Sequence, residues 1–549
     1  MNLYDKSSLI LVPGAVKDGK VYSQRPENGD GDFTFTRASS ATRVNSDGLI
    51  EKGRENLLLQ SNQFDTTWVN ANSVETSGQT GYDGSSDAWL LTKTGVSGRI
   101  TQTISVSGVF TYSIYAKADT SNWILLYKTG TGEGGRFFDL ENGVIGSSIA
   151  TAPIDSKIES IGNGWYRCSI VGNSATAAVV YVADSNGSAT GSSGSIYIQD
   201  AQLEVGLVAT DYIETTTTTA VSGITEDLPR LDYSGGASCP SLLLEPTRTN
   251  LIAFSENYGI GQWANTDVNL TTNYSLSPEG QMNASLWEFA TTNTLARIQY
   301  VMNGLTIGAT YTQSYYIKSL SGDLTLRIGT SGAIVGEFED ITATSEWQRF
   351  DFTSVASGTT EYPRIQNITG TQGAQILVYG AQFELGSYRT SYIPTYGSAV
   401  TRSNDSCNLL NLVSQGIIAD ATQWTIFYEL DVVLDKPAGG ASQFINGNGT
   451  LDVYSRYGAE NNTFARVYWR ADSKYIASSS YGKKICARLS DGIGSVFYNG
   501  SLAGSDTITG DYSGINIISN TSSVGGLITQ ILIFPTALTD SECIALTTL

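Results

Sequence analysis

The sequence predicts an all-β protein in which one β-domain occurs twice. Most segments alternate polar and apolar residues with a period of two, as in "FTYSIYAKA" (Phe110–Ala118) and "YTQSYYIKS" (Tyr311–Ser319). Val, Ile, Thr and Tyr favour half-buried strands, and Gly, Asn, Asp and Ser interrupt them at short intervals. Helical periodicity is rare, and its best case is "TDSECIALTTL" at the end of the sequence. The pattern therefore argues against a large helical domain.

The duplication is clearest in two phrases, "AQLEVGLVATDYIET" (Ala201–Thr215) and "AQFELGSYRTSYIPT" (Ala381–Thr395). Upstream of them, "RENLLLQSNQFDTTW" (Arg54–Trp68) matches "RTNLIAFSENYGIGQW" (Arg248–Trp263), and further matches follow in the same order. Chance rarely preserves such an order. We therefore predict two homologous β-domains, each of which ends with the repeated phrase.

The remaining segments divide the sequence further. The last part opens on the strand-like "WTIFYELDVVL" (Trp424–Leu434), contains a hairpin with Asn499-Gly500 at its turn, and closes with a helix that begins near Thr539 or Asp540. The segment before the second domain is punctuated by Pro and Gly and is predicted to be an ordered connector. The predicted parts are an N-terminal segment (1–53), module 1 (54–222), a connector (223–247), module 2 (248–397) and a C-terminal domain (398–549).

Composition excludes several functions. The sequence has 32 basic and 52 acidic residues, a net charge of −20, which disfavours binding to nucleic acid or to anionic membrane. Histidine is absent, so Ser-His-Asp and Cys-His catalysis, His-ligated zinc and imidazole acid–base chemistry are excluded. Carboxylate-pair chemistry and a calcium site built from oxygens remain possible.

Targeting signals are lacking in the sequence. No stretch approaches the roughly 18 apolar residues of a transmembrane helix, and the start has no signal-peptide pattern. We expect synthesis in a cytoplasm, no membrane insertion and no standard secretion. The five cysteines are scattered singly and are predicted to be buried thiols rather than a disulfide framework.

Several of these phrases resemble known families. "ALTDSECIALT" (Ala537–Thr547) and the hairpin at Phe497–Gly500 resemble concanavalin-like (laminin-G-like) lectin domains. The opening "NLLxxSxxF…W" and the closing "AQLExGxxxTxYIPT" of the two modules resemble jelly-roll carbohydrate-binding modules of tailed-phage virion proteins. "GDFTFTRASSATRVNSDGLIE" (Gly31–Glu51) and the connector resemble phage tail-fibre and structural proteins. The resemblance implies tandem jelly-roll β-sandwiches, then a concanavalin-like β-sandwich, with 1–53 as a short attachment segment.

The same resemblance implies a function. It points to a non-catalytic fibre of a phage tail or head that attaches to host-surface glycans, is located on the virion and contacts other virion proteins. A homo-oligomer, specifically a trimer, is implied by the resemblance and by no heptad pattern of the sequence. Two alternatives remain open: a purely structural decoration or assembly protein, and a polysaccharide-depolymerising tailspike. The short regular repeats of a tailspike β-helix are missing here.

Candidate site residues follow from the repeat. Tryptophans that both copies share are predicted to be core, and these are Trp68, Trp89, Trp165, Trp263, Trp287 and Trp347. Aromatic residues outside the repeat are predicted to stack on sugars, and these are Trp123, Tyr127, Tyr454, Tyr457, Trp469 and Tyr475. No motif pairs any two of the 52 acids, so no catalytic residue is predicted.

Two acidic turns are weak candidates for a structural calcium ion, and no other cofactor is expected. "NGDGD" supplies Asp30 and Asp32, and "GYDGSSD" supplies Asp83 and Asp87. Neither turn has the spacing of a twelve-residue calcium loop, and Asp-Gly turns account for both without a metal.

Overall fold

The computed structural model of the chain describes residues 2–331, 337–431, 441–447, 451–457, 463–469, 474–477, 484–518 and 526–548, and within 430–477 and at residue 518 it describes the backbone only. Strands make up 51% of the chain and helices 3%. These proportions confirm the predicted all-β class. No helix within the described ranges has the length and apolar character needed to cross a membrane.

The N-terminal segment forms one short helix and several short strands. Their bounds are α1 Leu3–Lys6, β1 Leu9–Leu11, β2 Val16–Lys17, β3 Lys20–Val21, β4 Phe33–Thr36, β5 Thr42–Val44 and β6 Ile50–Lys52.

Module 1 is built from longer strands. They are β7 Arg54–Asn56, β8 Val69–Ala71, β9 Ser73–Gln79, β10 Ala88–Lys93, β11 Arg99–Ala118, β12 Trp123–Thr129, β13 Gly134–Asp139, β14 Val144–Ala150, β15 Asp155–Gly162, β16 Trp165–Ala183, β17 Ser195–Val205 and β18 Ala220–Ser222. The connector contributes β19 Arg230–Asp232, a 3₁₀ turn at Ser234–Gly236 and β20 Ser241–Leu244.

Module 2 repeats the strand plan of module 1. Its strands are β21 Arg248–Asn250, β22 Trp263–Thr266, β23 Val268–Ser275, β24 Ala284–Phe289, β25 Arg297–Tyr300, β26 Met302–Asn303, β27 Thr310–Ser319, β28 Leu324–Gly329, β29 Phe338–Ala343, β30 Gln348–Val355, β31 Thr360–Glu361, β32 Arg364–Asn367 and β33 Gln375–Leu385.

The C-terminal region contains the remaining elements. They are β34 Val400–Arg402, β35 Ser406–Leu409, β36 Gln423–Asp431, β37 Ala441–Gly447, β38 Leu451–Tyr457, β39 Thr463–Trp469, β40 Lys474–Ala477, β41 Lys484–Ser490, β42 Ile493–Tyr498, β43 Ser501–Thr507, β44 Ile517–Ile518, β45 Gly526–Phe534 and α2 Asp540–Thr547. Two predictions are confirmed here: the β42–β43 hairpin turns at Asn499-Gly500, and α2 begins after an N-cap at Thr539.

Each module is an antiparallel β-sandwich of jelly-roll type. In module 2 the two sheets have the orders β22-β25-β32-β28-β29 and β23-β24-β33-β27-β30, and the apolar core lies between them. Module 1 has the same order, but β11 and β16 are 20 and 19 residues long and run through both sheets. The alternation of buried and outward residues along these strands is the period-two pattern of the sequence.

The repeated closing phrase ties the last strand of module 1 to its first. Asn56 is fully buried and donates Nδ2 to the carbonyl oxygens of Ala201 (3.2 Å) and Ile213 (2.8 Å). Its Oδ1 accepts from the backbone N–H groups of Leu58 (3.2 Å) and Leu203 (3.1 Å). One side chain thus satisfies four buried backbone groups that lie between strands.

Module 2 has the same set of four hydrogen bonds at the same positions, and we call this set the closure of each module. Asn250 donates to the carbonyl oxygens of Ala381 (3.0 Å) and Ile393 (2.8 Å), and accepts from the N–H groups of Ile252 (3.2 Å) and Phe383 (3.1 Å). The phrase and the "NL" opening recur together because each supplies half of this closure.

The C-terminal sandwich draws on three separate segments of the chain. One sheet has the order β19-β20-β45-β36-β41-β42-β43 with β1 on β45, and the other has the order β2-β3-β4-β35-β44. Their shared core contains Leu9 and Phe35 from the N-terminal segment, Leu242 from the connector and Trp424 from the C-terminal region. These segments are predicted from the sequence as separate parts, and the structure joins strands of all three in one fold.

A buried ion network fixes this junction. Arg230 and Arg402 donate to Glu245 Oε2 at 2.6 and 2.7 Å, Arg37 donates to Asp405 Oδ1 at 3.2 Å, and Arg230 also pairs with Asp405. Burial alone would raise the pKa of Glu245, but Arg402 and Arg230 outweigh it and hold that pKa well below its ordinary value. These charges are paired and hydrogen-bonded, which is what makes their burial tolerable.

Candidate functional site

Corresponding sheets of the two modules present outer faces of different chemistry. In β12 the side chains of Ile124 and Leu126 pack in the core of module 1, so Trp123, Leu125 and Tyr127 lie on the opposite, outer face. The matching strand of module 2 is β28, whose outer face carries Arg327. These two outer faces are the candidate sites.

The outer face of module 1 is aromatic, and we call Trp123, Leu125, Tyr127, Phe137 and Tyr181 the aromatic face. Leu125 and Phe137 are buried at its base, while the three larger rings are half-buried. Trp123 and Tyr127 are four residues apart on one strand, so they are separated by about 13 Å. The face therefore offers rings along an extended line rather than in a closed pocket.

Neighbouring polar groups orient these rings. The rings of Tyr127 and Tyr181 meet edge to face with centroids 6.2 Å apart, and the Arg99 guanidinium lies 5.5 Å from the Tyr181 centroid. Burial, together with the nearby Glu133 carboxylate, raises the pKa of Tyr127. The hydroxyl of a neutral tyrosine can donate a hydrogen bond. An aromatic platform bordered by Arg and Glu groups suits a ligand that is apolar on one face and rich in hydroxyls at its rim.

Gly146 on β14 makes room for Trp123. A Cβ at Gly146 would lie 2.6 Å from Trp123 Cζ3, closer than real Cβ contacts. The absence of that side chain lets the indole lie against the edge of the sheet. A larger residue at position 146 would displace the indole.

The predicted sugar-stacking residues have different outcomes. The structure brings Trp123 and Tyr127 together on the aromatic face, where their role in binding stays a prediction. Tyr454 and Tyr457 lie on β38, Trp469 on β39 and Tyr475 on β40, which share one sheet. The side chains of these four residues lie outside what the structure describes.

The tryptophans shared by the two copies are mostly core, as predicted. Trp68, Trp89, Trp165 and Trp287 are buried, whereas Trp263 and Trp347 are half-buried and pack against core clusters. Four of the five cysteines are also buried, and Cys239 is exposed, which corrects the prediction for that residue. It lies in the Gly- and Ser-rich turn of the connector.

The weak calcium candidates lie in hydrogen-bonded turns. Asp32 Oδ1 accepts from the Ser23 N–H at 3.0 Å, and Asp30 Oδ2 accepts from Asn28. Asp83 Oδ1 accepts from the Ser85 hydroxyl at 2.6 Å, and Asp87 Oδ1 accepts from Gln199 at 2.8 Å. Across the described ranges no group of three or more His, Cys, Asp or Glu side chains is placed to hold a metal ion. A calcium site here stays a prediction.

The outer face of module 2 was missed by sequence reasoning. The strand registers place Arg297, Arg327 and Arg364 at the positions that Arg99, Leu125 and Val179 occupy in module 1. Each of the three arginines stands on a different strand, so no local motif contains them. The strand-by-strand alignment that brings them together depends on registers that only the structure provides.

Comparison with known proteins gives structural likenesses alone. No model of a known protein family matches the chain, and no curated protein sequence matches it. The match to a solved CBM4 structure spans 24% of this chain and 83% of that structure's chain, with 16% identity and a TM-score of 0.18. The match to the CBM22-1-CBM22-2 tandem domain of Paenibacillus barcinonensis Xyn10C spans 60% of this chain and 97% of that chain, with 10% identity and a TM-score of 0.21. The match to the CBM22-1-GH10 modules of Clostridium thermocellum xylanase 10B, complexed with xylohexaose, spans 28% of this chain and 30% of that chain, with 14% identity and a TM-score of 0.20.

Proposed function

We propose that the protein binds glycans without modifying them, and that the aromatic face of module 1 is a binding site. The observation that carries the proposal is the line of half-buried rings at Trp123, Tyr127 and Tyr181, bordered by Arg99. Sugar rings have apolar faces that stack on aromatic side chains and hydroxyl rims that hydrogen-bond to polar neighbours. An extended line of rings suits several units of a polysaccharide.

The proposal also says where the protein is located and how it is assembled. We propose a fibre of a phage tail or head that attaches the virion to surface glycans of the host, as a homotrimer in contact with other virion proteins. Support comes from the sequence resemblance of both modules, the N-terminal segment and the connector to phage virion proteins. Multivalency gives a physical reason for repetition, because linking weak sites raises the effective concentration of the second contact into about the millimolar range.

Binding is tested with the intact protein on a glycan array and on host cells. Trp123→Ala and Tyr127→Ala should each weaken glycan binding about tenfold, the effect of losing one well-placed ring. Tyr274→Ala is the matched control, because Tyr274 is 48% exposed on module 2, away from the aromatic face. If the parent protein binds no glycan above background, the binding proposal fails and a structural decoration role replaces it.

Location and catalysis need separate measurements. Antibody to the chain should label the fibres of negatively stained particles, and label on the capsid lattice alone would favour the decoration role. Incubation with host polysaccharide should release no reducing ends. Released ends would support the depolymerising tailspike instead.

A further inference from the structure

Module 2 carries a cluster of positive charge on the sheet face that matches the aromatic face. Arg297, Arg327 and Arg364 project from β25, β28 and β32, and Phe338 lies beside them on β29. We call these four residues the arginine face. The cluster stands out because the whole chain carries a net charge of −20.

The three guanidinium groups differ in how they are satisfied. Arg327 forms a bidentate pair with Asp340, at 2.6 and 3.0 Å. Arg297 donates Nε to Gln299 Oε1 and Nη1 to the carbonyl oxygen of Leu295, both at 2.9 Å, and these bonds orient it without neutralising it. The face therefore retains positive charge after its internal pairing.

Arg364 is the least compensated of the three. Within the described part of the chain it has no hydrogen-bond or ion-pair partner, and its Nε is buried and unbonded. Burial, and then repulsion from Arg297 and Arg327, lowers the pKa of Arg364. A half-buried cation between two others is destabilised in the free protein, and an anion placed against it would relieve that cost.

Phe338 adds an apolar surface to this charge. The guanidinium carbons of Arg327 and Arg364 lie 5.3 and 5.1 Å from its ring centroid, and the residue is 38% exposed. Opposite it on β28 stands Gly329, where a Cβ would lie 2.8 Å from Phe338 Cδ1. A partly exposed ring beside two cations is the pairing expected for a ligand with an apolar face and an acidic group.

We propose that the arginine face binds an acidic sugar unit, with its carboxylate or phosphate against Arg364 and Arg297 and its ring against Phe338. Arginine suits this role because its planar fork can donate two parallel hydrogen bonds to one carboxylate or phosphate. The site is distinct from the aromatic face in position and in chemistry. The protein would then recognise two features of a glycan: extended sugar rings through module 1 and acidic substituents through module 2.

The test uses the full chain on an array of uronic, sialic and phosphorylated oligosaccharides beside their methyl-esterified or dephosphorylated counterparts. The parent protein should bind at least one acidic form about tenfold more tightly than its neutral counterpart, and added salt should weaken that binding. Arg364→Gln should remove the preference. Arg364→Lys should retain part of it, because the charge remains while the fork is lost.

Arg389→Gln is the matched control. Arg389 lies in the same module and is half-exposed beside Asp351, so the variant loses the same charge elsewhere. If Arg364→Gln fails to fold, Arg297→Gln tests the same site. Equal binding of acidic and neutral forms, an unchanged preference in the arginine variants, or inorganic phosphate competing as well as a sugar phosphate would overturn the proposal. Failure of Trp123→Ala to affect binding would sink the module 1 site and leave this one standing.

Discussion

The aromatic face of module 1 and the arginine face of module 2 occupy equivalent places on corresponding sheets of the two modules. Where module 1 has Tyr127 and Val179, the strand registers place Gly329 and Arg364 in module 2. The closure that holds each sandwich together is meanwhile repeated bond for bond, with Asn56 and Asn250 in the same role. The scaffold has been kept while the outer face has changed its chemistry.

This difference teaches where ligand choice resides in such a fold. Closure residues are buried and satisfy backbone groups, so a change there costs stability whatever the ligand. Side chains on the outer sheet face contribute little to core packing, so aromatic residues there can be replaced by charged ones without disturbing the strands. The two proposed sites thus differ in the residues of the outer face and not in the closure.

The largest expected effect tests the shared scaffold. Asn250→Ala and Asn56→Ala each leave four backbone groups without their partner, so each should lower the free energy of unfolding of its module by about 3 kcal/mol or more. Chemical denaturation followed by module-specific hydrogen exchange measures this. Asn269→Ala, at an exposed position bonded to Glu288, is the control and should change little. A large loss of stability in only one of the two variants would break the equivalence of the two closures.

The second prediction concerns a position at which the modules differ. Asp200 adopts a positive φ of 52° where module 2 has Gly380, and it accepts a hydrogen bond from the Tyr82 hydroxyl at 2.8 Å. Burial raises the pKa of Asp200 to about 6, from an ordinary value of 3.8. The folded state thus holds this proton more tightly than the unfolded chain does. The stability that the protonated form contributes is complete below pH 3.8 and is lost as the pH rises through about 6.

Asp200→Asn removes this ionisation while keeping an acceptor for Tyr82. At pH 7 the variant should be more stable than the parent by about 2 kcal/mol, and below pH 3.8 the two should converge. Denaturation curves over this pH range measure the difference. A constant difference at every pH would show that Asp200 does not titrate as described.

The third prediction exchanges one residue between the faces. Tyr181 stands where module 2 has Gln366, so Tyr181→Gln gives module 1 the side chain of its partner module. Loss of the ring should weaken binding of neutral glycans about fivefold, equivalent to about 1 kcal/mol. Titration calorimetry with a neutral oligosaccharide found on the array measures it. Unchanged affinity would remove Tyr181 from the aromatic face as a ligand contact.

The smallest expected effect concerns a position at which both modules carry an arginine. Arg99 and Arg297 occupy equivalent positions, but Arg99 lies over the Tyr181 ring while Arg297 bonds to Gln299. Arg99→Gln should weaken neutral-glycan binding about threefold, the size of an exposed cation–π contact. Arg297→Gln should leave neutral binding alone and reduce acidic binding. Reversal of these two results would exchange the roles of the faces.

The sequence reveals the modules because their signals are local. Period-two alternation, shared tryptophans and the closing phrase lie within short windows, so the all-β class and the duplication could be predicted. Trp123 and Tyr127 could also be predicted as neighbours, since they alternate along one strand. The arginine face could not, because Arg297 and Arg364 meet across strands that are distant in sequence.

The C-terminal sandwich shows the same limit at larger scale. Leu9–Leu11 pairs with the strand that contains Ile531–Ile533, more than 500 residues away. Alternation predicts that a segment forms a strand, but it does not indicate which sheet edge that strand pairs with. The part predicted as an attachment segment therefore also completes a core, while its role in attachment stays a prediction.

The most direct test of the account is a paired measurement on the full chain. Binding to neutral and to acidic glycans is compared for the parent, Trp123→Ala, Arg364→Gln and the double variant. We expect the first substitution to weaken neutral binding alone, the second to abolish acidic preference alone, and the double variant to show the sum of both losses. If one substitution removes both kinds of binding, or neither changes any, the two faces are not two sites and the central claim is contradicted.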